Sequence, residues 1–242
     1  MKICVIGPGS IGKRHIRILY EHFGICPLVA DRNTSPTGID VAVICTPTDT
    51  HIPIAIEYAK KGAALFIEKP LSNSLDGLDE LNRIVNIKGL PTYVAYPLRF
   101  YDFIWNNKNE IESLMCLTNA SNWPSKRQLD HVLLELSHEL DIAYWKSPGE
   151  LSGKVIGNHA FYGKLGDTFI TLDMNTEYEV RYATTWYGYY DLKVTDELYR
   201  KQWAWFLNNM HYGMMNNIRR ARPLLEMILK LTIRPCTFSI KS

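Results

Sequence analysis

The stretch Ile3-Cys4-Val5-Ile6-Gly7-Pro8-Gly9-Ser10-Ile11-Gly12 reads as a strand, a glycine-rich turn and the start of a helix. Four apolar residues without alternation belong to a strand covered on both faces, and the helical period runs on from Ile11 to Phe23. In such a turn Gly7 permits the tight bend, Gly9 lets the backbone approach a phosphate, and Gly12 lets helix and strand pack closely. The N–H groups of Ser10, Ile11 and Gly12 at the helix N-terminus favour an anion there, so a pyrophosphate fits. Asp31 lies 19 residues after Gly12, at the end of the second strand, where a carboxylate accepts hydrogen bonds from an adenosine ribose. That favours NAD. Arg32 beside it leaves NADP open, because a guanidinium there can pair with a 2′-phosphate.

Outward from this turn, β-branched runs alternate with helix-period segments: Ile25 to Ala30, Val41 to Cys45, Ile52 to Lys61, Ala63 to Ile67, Leu75 to Ile87 and Thr92 to Tyr96. Strand and helix taking turns predicts a doubly wound parallel sheet, a Rossmann-type α/β domain over residues 1–96. Beyond it the composition changes, for all six tryptophans fall between Trp105 and Trp205. A helix is predicted over Leu129 to Trp145, strands around Phe161 to Met174 and Glu177 to Tyr187, and helical segments from about Glu197 to Leu231. Grouped strands after a helix predict an α+β domain over residues 97–242 with a mainly antiparallel sheet. The linker candidate is the short stretch Tyr96 to Arg99.

Composition narrows the function classes. Of 242 residues, 46% are hydrophobic and 21% charged, enough apolar content for one large core or two modest ones. Lys and Arg total 27 against 25 Asp and Glu, a net charge of +2, which disfavours a nucleic-acid partner. No apolar run reaches the roughly 18 residues that span a bilayer, and the chain enters a strand at once, so a cytoplasmic protein without a membrane partner is expected. Five cysteines form no Cys-x-x-Cys pair and read as reduced, mostly structural thiols.

Two further motifs follow strands: Thr46-Pro47-Thr48-Asp49-Thr50-His51 after Val41 to Cys45, and Glu68-Lys69-Pro70 after Ala63 to Ile67. Both lie at C-terminal strand ends, where ligands of open α/β sheets bind. With Gly-x-Gly-x-x-Gly-x-x-His, ending at His15, they make a specific combination, and the sequence resembles the Gfo/Idh/MocA oxidoreductases. The resemblance continues in Tyr96-Pro97-Leu98-Arg99-Phe100, which is similar to the segment leading into the family's second domain. It extends to Glu135-Leu136-Ser137-His138-Glu139-Leu140-Asp141, which looks like the catalytic helix of that domain. It implies NAD or NADP in the first domain and interconversion of an alcohol and a carbonyl, commonly on a sugar, cyclitol or sugar nucleotide. It also implies that Thr46 and Pro47 line the nicotinamide edge, that His51 and Glu68 stand near the cofactor, and that Lys69 meets both cofactor and substrate.

Hydride transfer from an alcohol leaves a hydroxyl proton to remove and an alkoxide to steady, which makes Lys69 and His138 the catalytic candidates. An ammonium at a strand end can hold the substrate oxygen, and a histidine titrates near neutrality. On the predicted helix, His131, Glu135, His138 and Asp141 form a stripe at steps of four, three and three. They could ligate zinc, but Lys69 already supplies the electrophile, so no metal is expected; Glu135 or Asp141 orients His138 or caps structure, Asp141 alternatively anchors the helix, and Glu135 is a substrate-binding candidate. Arg99 and Trp123 complete the substrate candidates, Trp123 by stacking on a sugar ring; packing roles are the alternative for both.

Three departures from the family pattern carry consequences. Only eight residues separate Asp31 from Asp40, where the family places a helix and a further strand, so the adenine side is shortened. Leu134 stands where the family often has an Asp, four residues before His138, and Glu135 is the nearest replacement. The second domain is abbreviated, and its sheet, with Trp186, Tyr187, Tyr189 and Tyr190 nearby, needs covering, which predicts a homo-oligomer through that sheet. Two other functions stay open: a non-catalytic NAD(P)-binding sensor of the same fold, and a biliverdin-reductase-like enzyme.

Overall fold

A computed structural model describes residues 1–31, 34, 36–106, 111–122, 131–212 and 216–232. Arg32, Trp123, Leu129 and Cys236 lie outside the described residues. The chain runs β1 (Ile3–Ile6), α1 (Ser10–Phe23), β2 (Leu28–Ala30), β3 (Val41–Ile44), α2 (His51–Lys60), β4 (Ala64–Glu68), α3 (Leu78–Lys88), β5 (Thr92–Ala95) and α4 (Asp102–Asn106). It continues through β6 (Ser113–Asn119), α5 (Val132–Glu135), α6 (Ser137–Lys146), β7 (Leu151–Ile156), β8 (Ala160–Leu165), β9 (Thr168–Asp173), β10 (Asn175–Thr185) and β11 (Gly188–Asp191), and closes with α7 (Asp196–Asn209) and α8 (Asn217–Thr232). Contacts divide it into two compact units, Met1–Lys108 with Leu192–Pro223 and Asn109–Asp191 with Leu224–Ser242.

In the first unit five strands form a sheet of order β2-β1-β3-β4-β5, every neighbouring pair parallel. The runs Ile3–Ile6, Val41–Ile44 and Ala64–Glu68 are buried at every residue, as a sheet covered on both faces requires. Strand order reverses between β1 and β3, which puts a topological switch point beside the glycine turn. The sheet ends at β2, and Leu28 and Val29 on that edge are 50% and 52% exposed.

Helix α7 belongs to this first unit, whereas the sequence reading placed everything after residue 97 in the second domain. Leu198, Tyr199, Gln202, Trp203 and Phe206 form its buried face, and Trp203 and Phe206 pack on Phe66 of β4. An amphipathic stripe announces that a helix will bury one face; it does not say against which sheet. The stretch read as a linker, Tyr96 to Arg99, is likewise part of the first unit. It coils into a 3-10 turn at Pro97–Phe100 packed against α7.

The second unit is built on a six-stranded mixed sheet of order β11-β10-β6-β9-β8-β7, in which β6 and β9 pair in parallel and the other neighbours antiparallel. Burial alternates along β6, so the sheet has one covered and one open face, with α5 and α6 against the covered one. The two expected strands resolve into β8 and β9 on either side of Gly166, and β10; β6, β7 and β11 were not read from the sequence. The expected continuous helix is broken. Leu136 leaves the helical region at φ −100° and ψ 33°, ending α5, whose first turn is capped by the His131 ring accepting the Leu133 N–H at 3.3 Å. Every residue from Val132 to Ala143 is buried across the break, Glu135, His138, Glu139 and Asp141 among them, so the stretch has no separate core face of the kind the apolar spacing predicts.

No described helix is long and apolar enough to cross a membrane.

Candidate functional site

The glycine turn is constrained on two sides and open on the third. Gly7 has φ +87°, and a Cβ there would lie 2.8 Å from Thr46 Cγ2 and 2.9 Å from the Cys45 carbonyl. A Cβ on Gly12 would stand 2.3 Å from the Gly7 oxygen, so only glycine lets α1 leave the turn this closely. At Gly9 an added Cβ would meet no atom within 4 Å. Gly9 is also the N-cap of α1; no side chain caps that end, and its first turn carries no acidic residue. With Ser10 exposed and Ile11 half-buried at the same end, the turn has the shape and the polarity of a pyrophosphate cradle.

Asp31 is exposed at the end of β2, and its Oδ1 accepts the Thr34 hydroxyl at 2.7 Å. Thr46 is buried beyond β3 and Pro47 is exposed. The Thr50 hydroxyl, 2.7 Å from Thr46 Oγ1 and 2.6 Å from Pro47 O, closes this loop on itself. His51 is buried at the start of α2, with Nδ1 2.9 Å from Pro70 O and Nε2 2.8 Å from Thr46 O. It lies between the loop after β3 and the loop after β4, and burial lowers its pKa against the pull of those carbonyls; the neutral ring carries one N–H and donates to one of the two.

Glu68 is buried at the end of β4, where His15 of α1 meets its carboxylate at 2.7 Å. Lys69, half-buried, follows directly and is joined to Pro70 by a cis peptide bond. Gly7, Gly9, Gly12, Asp31, Thr46, Pro47 and Lys69 thus all stand at C-terminal ends of parallel strands of one sheet. Arg99 is half-buried in the same unit, its guanidinium 5.5 Å over the Tyr96 ring.

His138, Glu135 and Asp141 lie in the second unit, all buried on α5 and α6. Among the described residues no group of three or more His, Cys, Asp or Glu side chains is placed to hold a metal ion. Sequence reasoning passed over Glu139, which is fully buried beside Arg181 of β10 at 2.8 Å. Arg181 also donates to Cys116 of β6 at 3.3 Å, and burial, then Glu139, pushes that thiol up to about 12. It passed over His15 and Trp203 as well. His15 had a signal, being the last residue of the glycine motif; Trp203 had none beyond its helical stripe.

A parallel sheet with this cradle at its switch point defines a doubly wound dinucleotide-binding protein. Residues 27–96 match the family model described as oxidoreductase family, NAD-binding Rossmann fold. By that match, residues 27–96 are similar to the NAD-binding domain of the Gfo/Idh/MocA oxidoreductases. It is 27% identical over 170 residues to scyllo-inositol 2-dehydrogenase (NAD(+)) of Bacillus subtilis (strain 168), covering 61% of this chain and 49% of that protein. It is 36% identical over 107 residues to inositol 2-dehydrogenase of Rhizobium meliloti (strain 1021), covering 42% and 32%. The chain thus spans about half the length of the first relative and a third of the second. Its fold matches the WlbA (WbpB) dehydrogenase from Thermus thermophilus, solved with NAD and UDP-GlcNAcA, at a TM-score of 0.77 and 15% identity over 97% of this chain and 96% of that one.

Proposed function

We propose that the chain is an NAD-dependent oxidoreductase that interconverts an alcohol and a carbonyl on a polyhydroxylated substrate, a sugar, cyclitol or sugar nucleotide. The observation that carries the reading is Lys69 at the end of β4, half-buried on the sheet whose switch point holds the glycine cradle. NAD supplies the acceptor or donor of the hydride when bound. Gly9 and the first turn of α1 hold its pyrophosphate and Asp31 its adenosine ribose, with Thr46 and Pro47 on the nicotinamide side. The Lys69 ammonium binds the substrate oxygen and steadies it as it becomes an alkoxide, while His138 exchanges the hydroxyl proton and Glu135 orients it. Homo-oligomerisation through the second unit's open sheet face belongs to the same reading.

The test is a titration with NADH and NADPH followed by a screen of inositols, sugars and sugar nucleotides for change in nicotinamide absorbance. Lys69→Ala and His138→Ala should each lower turnover by about a hundredfold or more without adding, as members of one acid/base unit do. Both variants keeping most of the turnover removes this site assignment. The sensor reading has its own support in the short spacing from Asp31 to Asp40 and in β2 as the edge strand of the sheet. It takes over if no substrate is found and Lys69→Ala alters cofactor affinity alone.

A further inference from the structure

Lys69 sits between two residues that are each held by a buried histidine. Before it, the Glu68 carboxylate is engaged at both oxygens, Oε1 2.7 Å from His15 Nε2 and Oε2 accepting the Lys69 backbone N–H at 3.2 Å. The Trp203 indole donates to His15 Nδ1 at 2.9 Å. An indole N–H can only donate, so Nδ1 is the acceptor, and Nε2 carries the hydrogen given to Glu68. One tautomer is thereby selected, and the rings of Phe66, Tyr199 and Trp203, with centroids 5.3, 5.4 and 5.7 Å from that of His15, hold the imidazole edge-on. After Lys69, the Pro70 carbonyl is 2.9 Å from His51 Nδ1, whose other nitrogen is 2.8 Å from Thr46 O. His15 and His51 are 0% and 1% exposed, so neither is open to a substrate.

We propose that His15 and His51 are positioning residues for Lys69. Together they brace the backbone on both sides of the lysine, His15 by donating to Glu68 and His51 by packing its ring against the Pro70 and Thr46 carbonyls, one of which takes its single N–H. The proposal rests on the role given to Lys69 above. A reacting group displaced by about 1 Å can lose about a hundredfold in rate, so two buried braces on one residue suit a lysine that must meet a reacting oxygen in a single orientation.

The experiment uses the full chain and two readouts that need no turnover: hydrogen exchange at the Lys69 amide, and the rate at which reductive methylation labels each lysine, followed by mass spectrometry. His15→Phe and His51→Leu should speed Lys69 amide exchange by about tenfold or more and change Lys69 labelling by about threefold, with the other lysines unmoved. His15→Gln should restore the parent values, since its amide N–H can still donate to Glu68. Where a substrate is in hand, His15→Phe should lower kcat by about thirtyfold and leave KM within about threefold, a split that general destabilisation does not produce. Glu68→Gln covers the case in which His15→Phe fails to fold. A carboxamide has one oxygen for two donors, so this near-isosteric change must break either the His15 or the Lys69 bond and give the same local signature. Folded Glu68→Gln and His51→Leu proteins with Lys69 exchange and labelling at parent values overturn the proposal. The local signature without turnover on any substrate leaves the positioning in place and removes the oxidoreductase reading; turnover without the signature does the reverse.

Discussion

Phe66 and Trp203 lie ring on ring, 4.2 Å between centroids and 7° from parallel, joining strand β4 of the parallel sheet to a helix more than 130 residues later in the chain. Trp203 is fully buried there, and it also holds His15. Trp203→Ala therefore removes a large buried ring and strands a buried acceptor, and it should cost about 3–5 kcal/mol. In thermal denaturation that is a fall of roughly 6–20 °C for a chain of this size. A loss under about 1 kcal/mol would mean that α7 contributes little to the first unit.

The cradle glycines should separate folding from binding. Gly12→Ala places a methyl 2.3 Å from the Gly7 oxygen and should lower stability by about 1–3 kcal/mol. Gly9→Ala meets nothing within 4 Å and should melt like the parent, yet lose about tenfold or more in NADH affinity, because its methyl occupies the space left for phosphate. Calorimetric titration with NADH beside a melting curve checks both. Unchanged NADH affinity in Gly9→Ala places the dinucleotide elsewhere.

Asp31, exposed at the end of β2, should set the cofactor preference by accepting from the ribose and repelling a 2′-phosphate. Asp31→Ser should weaken NADH and strengthen NADPH, moving the ratio of affinities by about tenfold, or roughly 1.4 kcal/mol. Fluorescence titration with the two nucleotides measures it. Equal affinities in the parent that the substitution leaves alone would show that Asp31 does not read the ribose.

The second unit's sheet carries exposed aromatics that a partner subunit can cover: Trp186 is 83% exposed, Tyr178 69% and Phe169 58%. Light scattering at micromolar concentration should give a species above the 27.9 kDa of one chain, and Trp186→Glu with Phe169→Glu should shift it towards monomer. A clean monomer of the parent rules the assembly out.

Acidification should weaken the fold through His51 and His131. Both have pKa values lowered from 6.5, chiefly by burial, so the unfolded chain binds more protons just below that pH. Their contribution is fully present above 6.5 and is lost as pH falls towards the lowered folded values. The depressed carboxylates, Asp196 beside Arg17 and Arg14 and Glu197 beside Arg200, titrate in the acid range well below this window. Tm should accordingly be lower at pH 5.5 than at pH 7.5, and the double substitution His51→Gln with His131→Gln should flatten the difference. A Tm equal at the two pH values in the parent contradicts it.

By itself the sequence determined what is local. Apolar runs without a polar face, each followed by a helical period, make a parallel sheet, because a strand covered on both sides can carry no polar face. The glycine turn, the Thr46 loop and Glu68-Lys69-Pro70 stood out for a related reason: each is a short run of distinctive residues that follows one of these strands. Tertiary structure alone decided the long-range partners. A helical stripe at Leu198 to Phe206 is the same whether it covers the first sheet or the second, and only shape against Phe66 and Tyr93 settles the choice. The break at Leu136 is silent in the apolar period. The pairing of His15 with Glu68 joins residues 53 apart whose meeting depends on how α1 lies across β4, and that is fixed by packing, which no single stretch of the chain contains.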